Sequence, residues 1–205
     1  MLEQIQGTFV PDEWHSEHGY EALLDFEMSW VLRLCSKRTQ ELLKKSGNKN
    51  ANDKELYHQC RTILKKLTGI NECIEIDDVK VWRQWNSIDV IAEIYVNSNL
   101  HVLVLEDKSY TQMRWNQKDD YPERVFKHYS KEYPSVLVHY HFCVITFFDN
   151  KEQGYRNLVD YVKGKSFGPR NQYKWKVFST TGLLDWKAKA LPKSELFNEF
   201  WFAKW

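Results

Sequence analysis

The stretch "SIDVIAEIYVNSNLHVLVLEDKS", residues 87–109, decides the fold of this chain. Two runs rich in Val, Ile and Leu stand on either side of the polar residues 97–99, which have the composition of a turn. The pattern predicts a β-hairpin with strands at residues 88–96 and 100–108. A partly alternating segment, residues 74–85, predicts a third strand before the hairpin.

Three ionisable side chains, Asp89, Glu106 and Lys108, interrupt these apolar runs. Side chains two apart on a strand share a face, so Glu106 and Lys108 project together while Asp107 points the opposite way. Hairpin pairing brings Asp89 to the same end of the sheet. Two carboxylates beside an amine form an oxygen-ligand site suited to Mg²⁺, and the lysine would hold or deprotonate a metal-bound water.

A purely structural interpretation is also consistent with these residues. Asp89 would cap a turn, and Glu106 and Lys108 would form an ion pair at an exposed strand end. Ionisable groups are costly to bury unless they are paired or bind a metal. The apolar context of both strands therefore favours the catalytic interpretation.

The rest of the chain alternates helical and extended patterns in the order αα-βββ-α-β-α-β-α. This order predicts an α/β fold with a mixed central sheet flanked by helices. At 205 residues the chain fits a single domain, residues 1–205. The remaining predicted elements are helices at residues 18–45, up to 67, 111–133, 151–163 and from 194, and strands at 135–149 and 173–179.

Composition excludes several classes of protein. With 29 basic and 28 acidic residues the net charge is +1, so any site for a polyanion must be a local patch. The four cysteines form no CxxC pair, which argues against a zinc site and a disulfide framework. There is no signal-peptide pattern and no run of the ~20 apolar residues that a membrane span needs. We therefore expect a soluble cytoplasmic protein that does not enter a membrane.

Asp89 followed by the triplet Glu106, Asp107, Lys108 at the end of the next strand resembles the PD-(D/E)XK nuclease superfamily, also called restriction-endonuclease-like. The proline that names the motif is absent, and Ile88 precedes Asp89. The resemblance covers residues 20–149. It implies an αβββαβ core, to which this chain adds an extra N-terminal helix and C-terminal α/β elements.

The resemblance implies a Mg²⁺-dependent nuclease, with Mn²⁺ as a substitute. Asp89, Glu106 and the backbone carbonyl of Asp107 would hold the metal, and Lys108 would prepare the attacking water. The expected reaction is hydrolysis of phosphodiester bonds that leaves a 5′-phosphate, in DNA in preference to RNA. The alternative is a catalytically inactive nuclease-fold subunit that binds nucleic acid or a protein partner.

Glu27 is conspicuous in the first helix, because it lies in the middle of the stripe formed by Tyr20, Leu23, Leu24, Val31 and Leu34. In the superfamily that this chain resembles, the helix before the sheet often lends a Glu to the metal site, which implies that role for Glu27. Two alternatives stay open. Glu27 could pair with a buried Arg or Lys, or Glu21 could be the helix carboxylate.

The segment "QKDDY", residues 117–121, is similar to the QxxxY element of RecB-like and lambda-exonuclease-like nucleases. On a helix, Gln117 and Tyr121 would lie on one face and meet a phosphate or the catalytic lysine. Alternatively, Pro122 begins the helix and both residues lie in a loop. Arg114 and Lys118 are close in sequence to Lys108 and are expected to contact nucleic-acid phosphates.

Two further patterns have structural interpretations. His139 and His141 form an HxH pair without a visible third ligand and are expected to be core histidines, while His15 and His18 lack a metal-binding spacing. The aromatic segment "FNEFWFAKW", residues 197–205, is expected to fill the core or cover an apolar edge. It also offers a surface for a protein partner or a homo-oligomer.

Overall fold

The chain forms a mixed five-stranded sheet with helices on both faces. A computed structural model describes residues 17–48, 53–114, 116–164, 166–168, 172–184, 191 and 194–202. The strands are β1 Asp78–Trp85, β2 Ile88–Val96, β3 Asn99–Lys108, β4 Val138–Thr146 and β5 Trp175–Ser179. The helices are α1 Glu17–Leu34, α2 Lys37–Lys45, α3 Lys54–Thr68, α4 Gln117–Glu132, α5 Gln153–Val162, α6 Thr180–Leu183 and α7 Glu195–Phe202.

The strands follow one another across the sheet in the order β1-β2-β3-β4-β5. The first three are antiparallel, and β4 and β5 are parallel to β3. Both hairpin turns carry two residues with positive φ, Asn86 and Ser87 in one and Asn97 and Ser98 in the other. Such turns match the twist of paired strands. The crossover from β3 to β4 passes through α4, since parallel strands cannot be joined by a tight turn.

Apolar side chains cover the sheet on both faces. On one face, residues of α1, α3 and α7 form a core cluster with Val90, Leu103 and Ile145. On the opposite face, residues of α4 and α5 form a second cluster with Val104 and Phe142. The α/β class expected from the sequence is therefore the class that the structure has.

The strand bounds agree closely with the sequence pattern in the hairpin and less closely elsewhere. Strand β2 spans the predicted residues, and β3 begins one residue early. Strand β1 begins at Asp78 instead of residue 74. The predicted first helix is two helices, because Ser36 caps α2 by accepting a hydrogen bond from the Thr39 N–H at 3.0 Å. The short helix α6 was not predicted.

Helix α4 contains Pro122 and begins at Gln117, so of the two alternatives the one in which the proline begins the helix is wrong. A proline within a helix leaves a backbone carbonyl without its usual N–H partner. The carbonyl concerned belongs to Lys118, and it accepts a hydrogen bond from the Trp175 indole N–H at 2.9 Å. A hydrogen bond from the Trp175 side chain of β5 thus replaces the missing helical hydrogen bond.

The aromatic C-terminal segment contributes to the core within the described residues. Phe197 and Phe200 of α7 are buried, and Trp201 packs against the same cluster. Residues 203–205 lie outside the described part of the chain. In the described residues, every helix is too short or too polar to cross a membrane.

Candidate active site

The carboxyl end of β3 carries a buried cluster of ionisable groups. Glu106 and Asp107 are 0% exposed and Lys108 is 8% exposed. Asp89, at the start of β2, accepts a hydrogen bond from the Asp107 backbone N–H at 2.8 Å. The hairpin register therefore brings together Asp89 and the three consecutive residues on β3, as the sequence pattern predicts.

Lys108 is held by its neighbours in the cluster. Its Nζ atom lies 2.5 Å from Glu106 Oε1 and donates a hydrogen bond to the Asp107 carbonyl at 3.2 Å. The pair is buried, so the interpretation as an exposed ion pair at a strand end is wrong. A buried ion pair requires further polar partners to offset the loss of hydration.

Helix α4 supplies those partners through Gln117 and Tyr121. The Gln117 amide donates to Glu106 Oε1 at 2.5 Å and to the Tyr121 hydroxyl oxygen at 2.9 Å. Tyr121 in turn donates to the Ser87 carbonyl at 2.5 Å, in the turn that precedes β2. The spacing of four residues places both side chains on one helical face, and that face contacts Glu106.

The carboxylate that α1 brings to this cluster is Asp25, which sequence reasoning missed. The Gln84 amide donates to Asp25 Oδ2 and to Asp89 Oδ1, each at 3.2 Å, and thereby links helix and hairpin. Asp25 is 7% exposed. The signal in the sequence was its position four residues after Glu21, which places both acids on one face of the helix.

Glu27 lies elsewhere, which corrects its assignment to the metal site. Two residues along a helix are about 200° apart around the axis, so Glu27 points away from Asp25. Glu27 is fully buried, and its Oε1 accepts a hydrogen bond from the Trp201 indole at 2.9 Å. The pairing with a buried cation is not found among the described residues either. Glu21 accepts a hydrogen bond from the Thr111 hydroxyl at 2.8 Å, at the margin of the cluster.

The cluster holds more acid than base, and burial opposes ionisation of the acids. Burial and the charge of Asp89 raise the pKa of Glu106 to about 8, against the effect of Lys108. Burial raises the pKa of Asp25 to about 6, and burial together with Asp25 raises the pKa of Asp107 well above its usual value. Burial disfavours the charged form of Lys108, but Glu106, with Asp89 and Glu21, outweighs burial and raises the pKa of the amine.

Several carboxylate oxygens in the cluster are buried without a hydrogen-bond donor among the described residues. They are Asp25 Oδ1, Glu106 Oε2, and both side-chain oxygens of Asp107. Leaving such atoms unpaired is costly, so the site favours protons or a cation. An all-oxygen donor set has the chemistry that Mg²⁺ prefers. Within the same part of the chain, however, no three His, Cys, Asp or Glu side chains already converge on a common ion position.

The two predicted phosphate contacts differ in their surroundings. Lys118 donates to the Tyr161 carbonyl at 3.0 Å and lies over the Tyr161 ring, 4.2 Å from its centroid. It therefore joins α4 to α5 through one of its three N–H donors, and its contact with phosphates stays a prediction. Arg114 is exposed, and its backbone carbonyl accepts from the Tyr161 hydroxyl at 2.9 Å.

The HxH pair has a third histidine beside it, which the sequence did not indicate. His101 Nδ1 lies 3.1 Å from His141 Nε2, and the rings of His101 and His139 stack with centroids 4.6 Å apart. All three are half-buried, so they are not fully enclosed core residues. Their meeting depends on the parallel pairing of β3 and β4, which pairs His101 with His139. His15 and the side chain of His18 lie outside the described part of the chain.

A comparison with models of protein families, with curated proteins and with solved structures found no match to this chain. The α/β class therefore rests on the structure alone. The nuclease interpretation rests on the residues at the end of the hairpin and on their geometry.

Proposed function

We propose that this chain is a Mg²⁺-dependent nuclease, a phosphodiester hydrolase that acts on DNA in preference to RNA. The observation that carries the proposal is the buried cluster at the end of β3. There Lys108 lies 2.5 Å from Glu106, and Gln117 donates to the same carboxylate oxygen. An amine, several carboxylates and unpaired carboxylate oxygens buried at one end of the sheet lower the stability of the fold, which supports a catalytic role.

The acids of the cluster would hold the metal. Asp89, Glu106 and the backbone carbonyl of Asp107 are the proposed ligands, with Asp25 as the helix carboxylate in place of Glu27. Bound Mg²⁺ or Mn²⁺ supplies a Lewis acid for the phosphate and lowers the pKa of bound water. Preference for DNA and a 5′-phosphate product follow from the resemblance to PD-(D/E)XK nucleases.

The chain's own polar residues position the reactants. Because Glu106 raises the pKa of Lys108, the amine stays protonated in the metal-free chain. Lys108 therefore orients the attacking water and stabilises charge on the phosphate through its N–H groups. Gln117 fixes the Glu106 carboxylate, and Tyr121 fixes Gln117.

The test is cleavage of labelled DNA and RNA by the wild type and by Lys108→Ala, with Mg²⁺, Mn²⁺ or EDTA. We expect metal-dependent cleavage by the wild type and a loss of about 10²–10³-fold in the variant, as for other groups that stabilise developing charge. The fold should persist, since a neutral Glu106 needs no cation.

Lys127→Ala is the matched control, because Lys127 is exposed on α4. It should cleave like the wild type, and thermal melts of both variants separate loss of activity from loss of structure. Equal cleavage rates for Lys108→Ala and wild type would overturn the assignment of Lys108.

A second candidate function is a catalytically inactive subunit that keeps the nuclease-like arrangement. The observation that favours it is that, in the described residues, no metal-holding group of three side chains is already formed. Calorimetric titration with Mg²⁺ and Mn²⁺ distinguishes the two candidates. Absence of metal binding together with DNA binding in EDTA supports the inactive subunit.

The compartment is part of the same proposal. Cys35, Cys60 and Cys143 are buried as free thiols, and Cys73 is free and exposed, which is consistent with a reducing cytoplasm. Nucleic acid is the proposed partner, and a homo-oligomer or protein partner at the aromatic C-terminus is a separate proposal.

A further inference from the structure

A groove runs between α1 and the edge strand β1, and it begins beside the candidate active site. One cavity of about 240 Å³ is lined by Phe26, Trp30, Arg33 and Arg83, together with Ser29. A second cavity of about 420 Å³ continues from Arg33 along β1. Arg33 lines both cavities, which therefore adjoin at this side chain, and the two together are called here the α1–β1 groove.

The groove holds two arginines that form no ion pair within the described residues, while its far end holds the Arg38–Asp78 ion pair. These two arginines, Arg33 and Arg83, are exposed. Arg33 uses one guanidinium nitrogen to donate to the Val81 carbonyl at 3.0 Å, which fixes its position on β1. The remaining N–H groups of both arginines can bind an anion.

The groove is electrostatically connected to the candidate active site. Burial raises the pKa of Asp25 and the charge of Arg83 opposes this rise, so Arg83 acts on the acid that α1 brings to the cluster. The next residue on β1, Gln84, donates to both Asp25 and Asp89. An anion held by Arg83 would therefore lie next to the acidic cluster.

Aromatic side chains accompany these arginines. Phe26 is 39% exposed although it is large and apolar, and Trp30 lines the same cavity as Arg33 and Arg83. Proteins that bind single-stranded nucleic acid combine basic grooves with exposed aromatic rings on which bases stack. A duplex hides the faces of its bases, so these rings match a single strand better.

A peptide strand added to the edge of β1 fits the groove less well. Arg38 and Lys80 lie along this edge, and charged side chains on an edge strand oppose pairing with another strand. Arg33 and Arg83, which form no ion pair within the described residues, also favour phosphates over a neutral peptide backbone.

We propose that the α1–β1 groove binds one single strand of nucleic acid and leads it to the acidic cluster. Phosphates contact Arg33 and Arg83, and bases stack on Phe26 and Trp30, which line the same cavity. This inference rests on the proposed nuclease function, because it assigns the path of that enzyme's substrate.

The experiment measures binding without cleavage, so that the two proposals fail separately. Fluorescence anisotropy in EDTA follows a fluorescent oligo-dT strand, and the same label on a duplex, titrated with wild type or with the double variant Arg33→Ala, Arg83→Ala. We expect the double variant to raise the single-strand Kd at least tenfold. The slope of log K against log salt should become shallower by about 0.7 for each phosphate that the variant no longer neutralises.

The matched control removes two charges from the opposite face of the sheet. Lys127→Ala with Lys131→Ala affects exposed lysines on α4 and should leave the Kd unchanged. Arg33→Lys keeps the charge and should recover part of the affinity that Arg33→Ala removes. Phe26→Ala should weaken single-strand binding without changing the salt slope, because it removes stacking alone. Thermal melts of each variant exclude unfolding.

Each outcome bears on one proposal. Wild-type affinity in the arginine double variant, or no single-strand binding by wild type at low salt, overturns the groove inference even if DNA is cleaved with Mg²⁺. Equal reductions in affinity for duplex and single strand overturn the choice of a single strand. Weaker binding by the double variant, with no cleavage by wild type under any metal, supports the groove and rejects the nuclease.

Discussion

Glu27 shows that a buried carboxyl need not belong to the candidate active site. Its carboxyl is fully buried between α1 and α7, where Oε1 is bonded to Trp201 and Oε2 accepts no hydrogen bond from a described residue. Burial raises the pKa of Glu27 from 4.5 to about 8. The native state therefore holds Glu27 in its neutral form and is weakened when the carboxyl ionises.

Glu27→Gln should flatten the pH dependence of stability. Because the folded pKa is raised, the unfolded chain releases the proton first, and stability falls as pH rises from about 4.5 through about 8. The shift from 4.5 to about 8 corresponds to at most about 5 kcal/mol. We expect the variant to match wild type at pH 5 and to exceed it at pH 9 in denaturant unfolding.

Glu123→Gln is the control for this prediction, since Glu123 is an exposed acid on α4. It should follow the wild-type curve at both pH values. If Glu27→Gln instead destabilises the chain at pH 9, Glu27 is ionised in the native state and has an unrecognised partner.

Helix α4 contains a proline, and a side chain of β5 supplies the hydrogen bond that the proline removes. Its first turn, which precedes Pro122, carries Gln117, which donates to Glu106 and to Tyr121. The continuation of the helix through Pro122 depends on β5, where Trp175 donates to the Lys118 carbonyl.

Trp175→Phe should therefore destabilise the chain beyond the loss of packing. The unpaired Lys118 carbonyl contributes about 1–3 kcal/mol of that destabilisation. Pro122→Ala restores an N–H that can bond to the same carbonyl, so the double variant should recover part of the stability. A double-mutant cycle of unfolding free energies measures this coupling. Additive effects of the two substitutions would show that the indole bond does not replace the helical one.

The candidate site is formed by segments that are far apart in the sequence. Helix α1, the hairpin and α4 each contribute side chains to one end of the sheet, and Asp25 is 59 residues from Gln84, its donor on β1. Packing of α1 on the sheet therefore decides which helix acid joins the cluster.

Asp25→Asn should lower Mg²⁺ affinity and cleavage by about 10–100-fold, the cost usual for residues that support a metal site. Stability should stay the same or increase, because the amide removes the negative charge of Asp25 from beside Asp89 and Asp107. Calorimetry and thermal melts measure the two effects. Asp160→Asn, at an exposed acid on α5, is the control. Unchanged affinity and activity in Asp25→Asn would remove Asp25 from the proposed metal site.

Local sequence pattern determined the hairpin and the positions of its charges. A strand has a period of two, so the runs around residues 97–99 define both strands, and Glu106 and Lys108 necessarily share a face. The α/β class and the face shared by Gln117 and Tyr121 follow from equally local periodicities. The sequence also identified Glu27 as buried, because helical phase relates a residue to its own stripe.

Tertiary packing alone decided what each buried group meets. Helical phase does not specify the neighbouring layer, so it could not tell that Glu27 faces Trp201 of α7 while Asp25 faces the sheet end. The same limit applies to His101, which meets His139 through the parallel pairing of β3 with β4. It applies equally to Trp175, which satisfies a carbonyl 57 residues away. These contacts join segments that are remote in sequence, and only the packing of helices on the sheet brings them together.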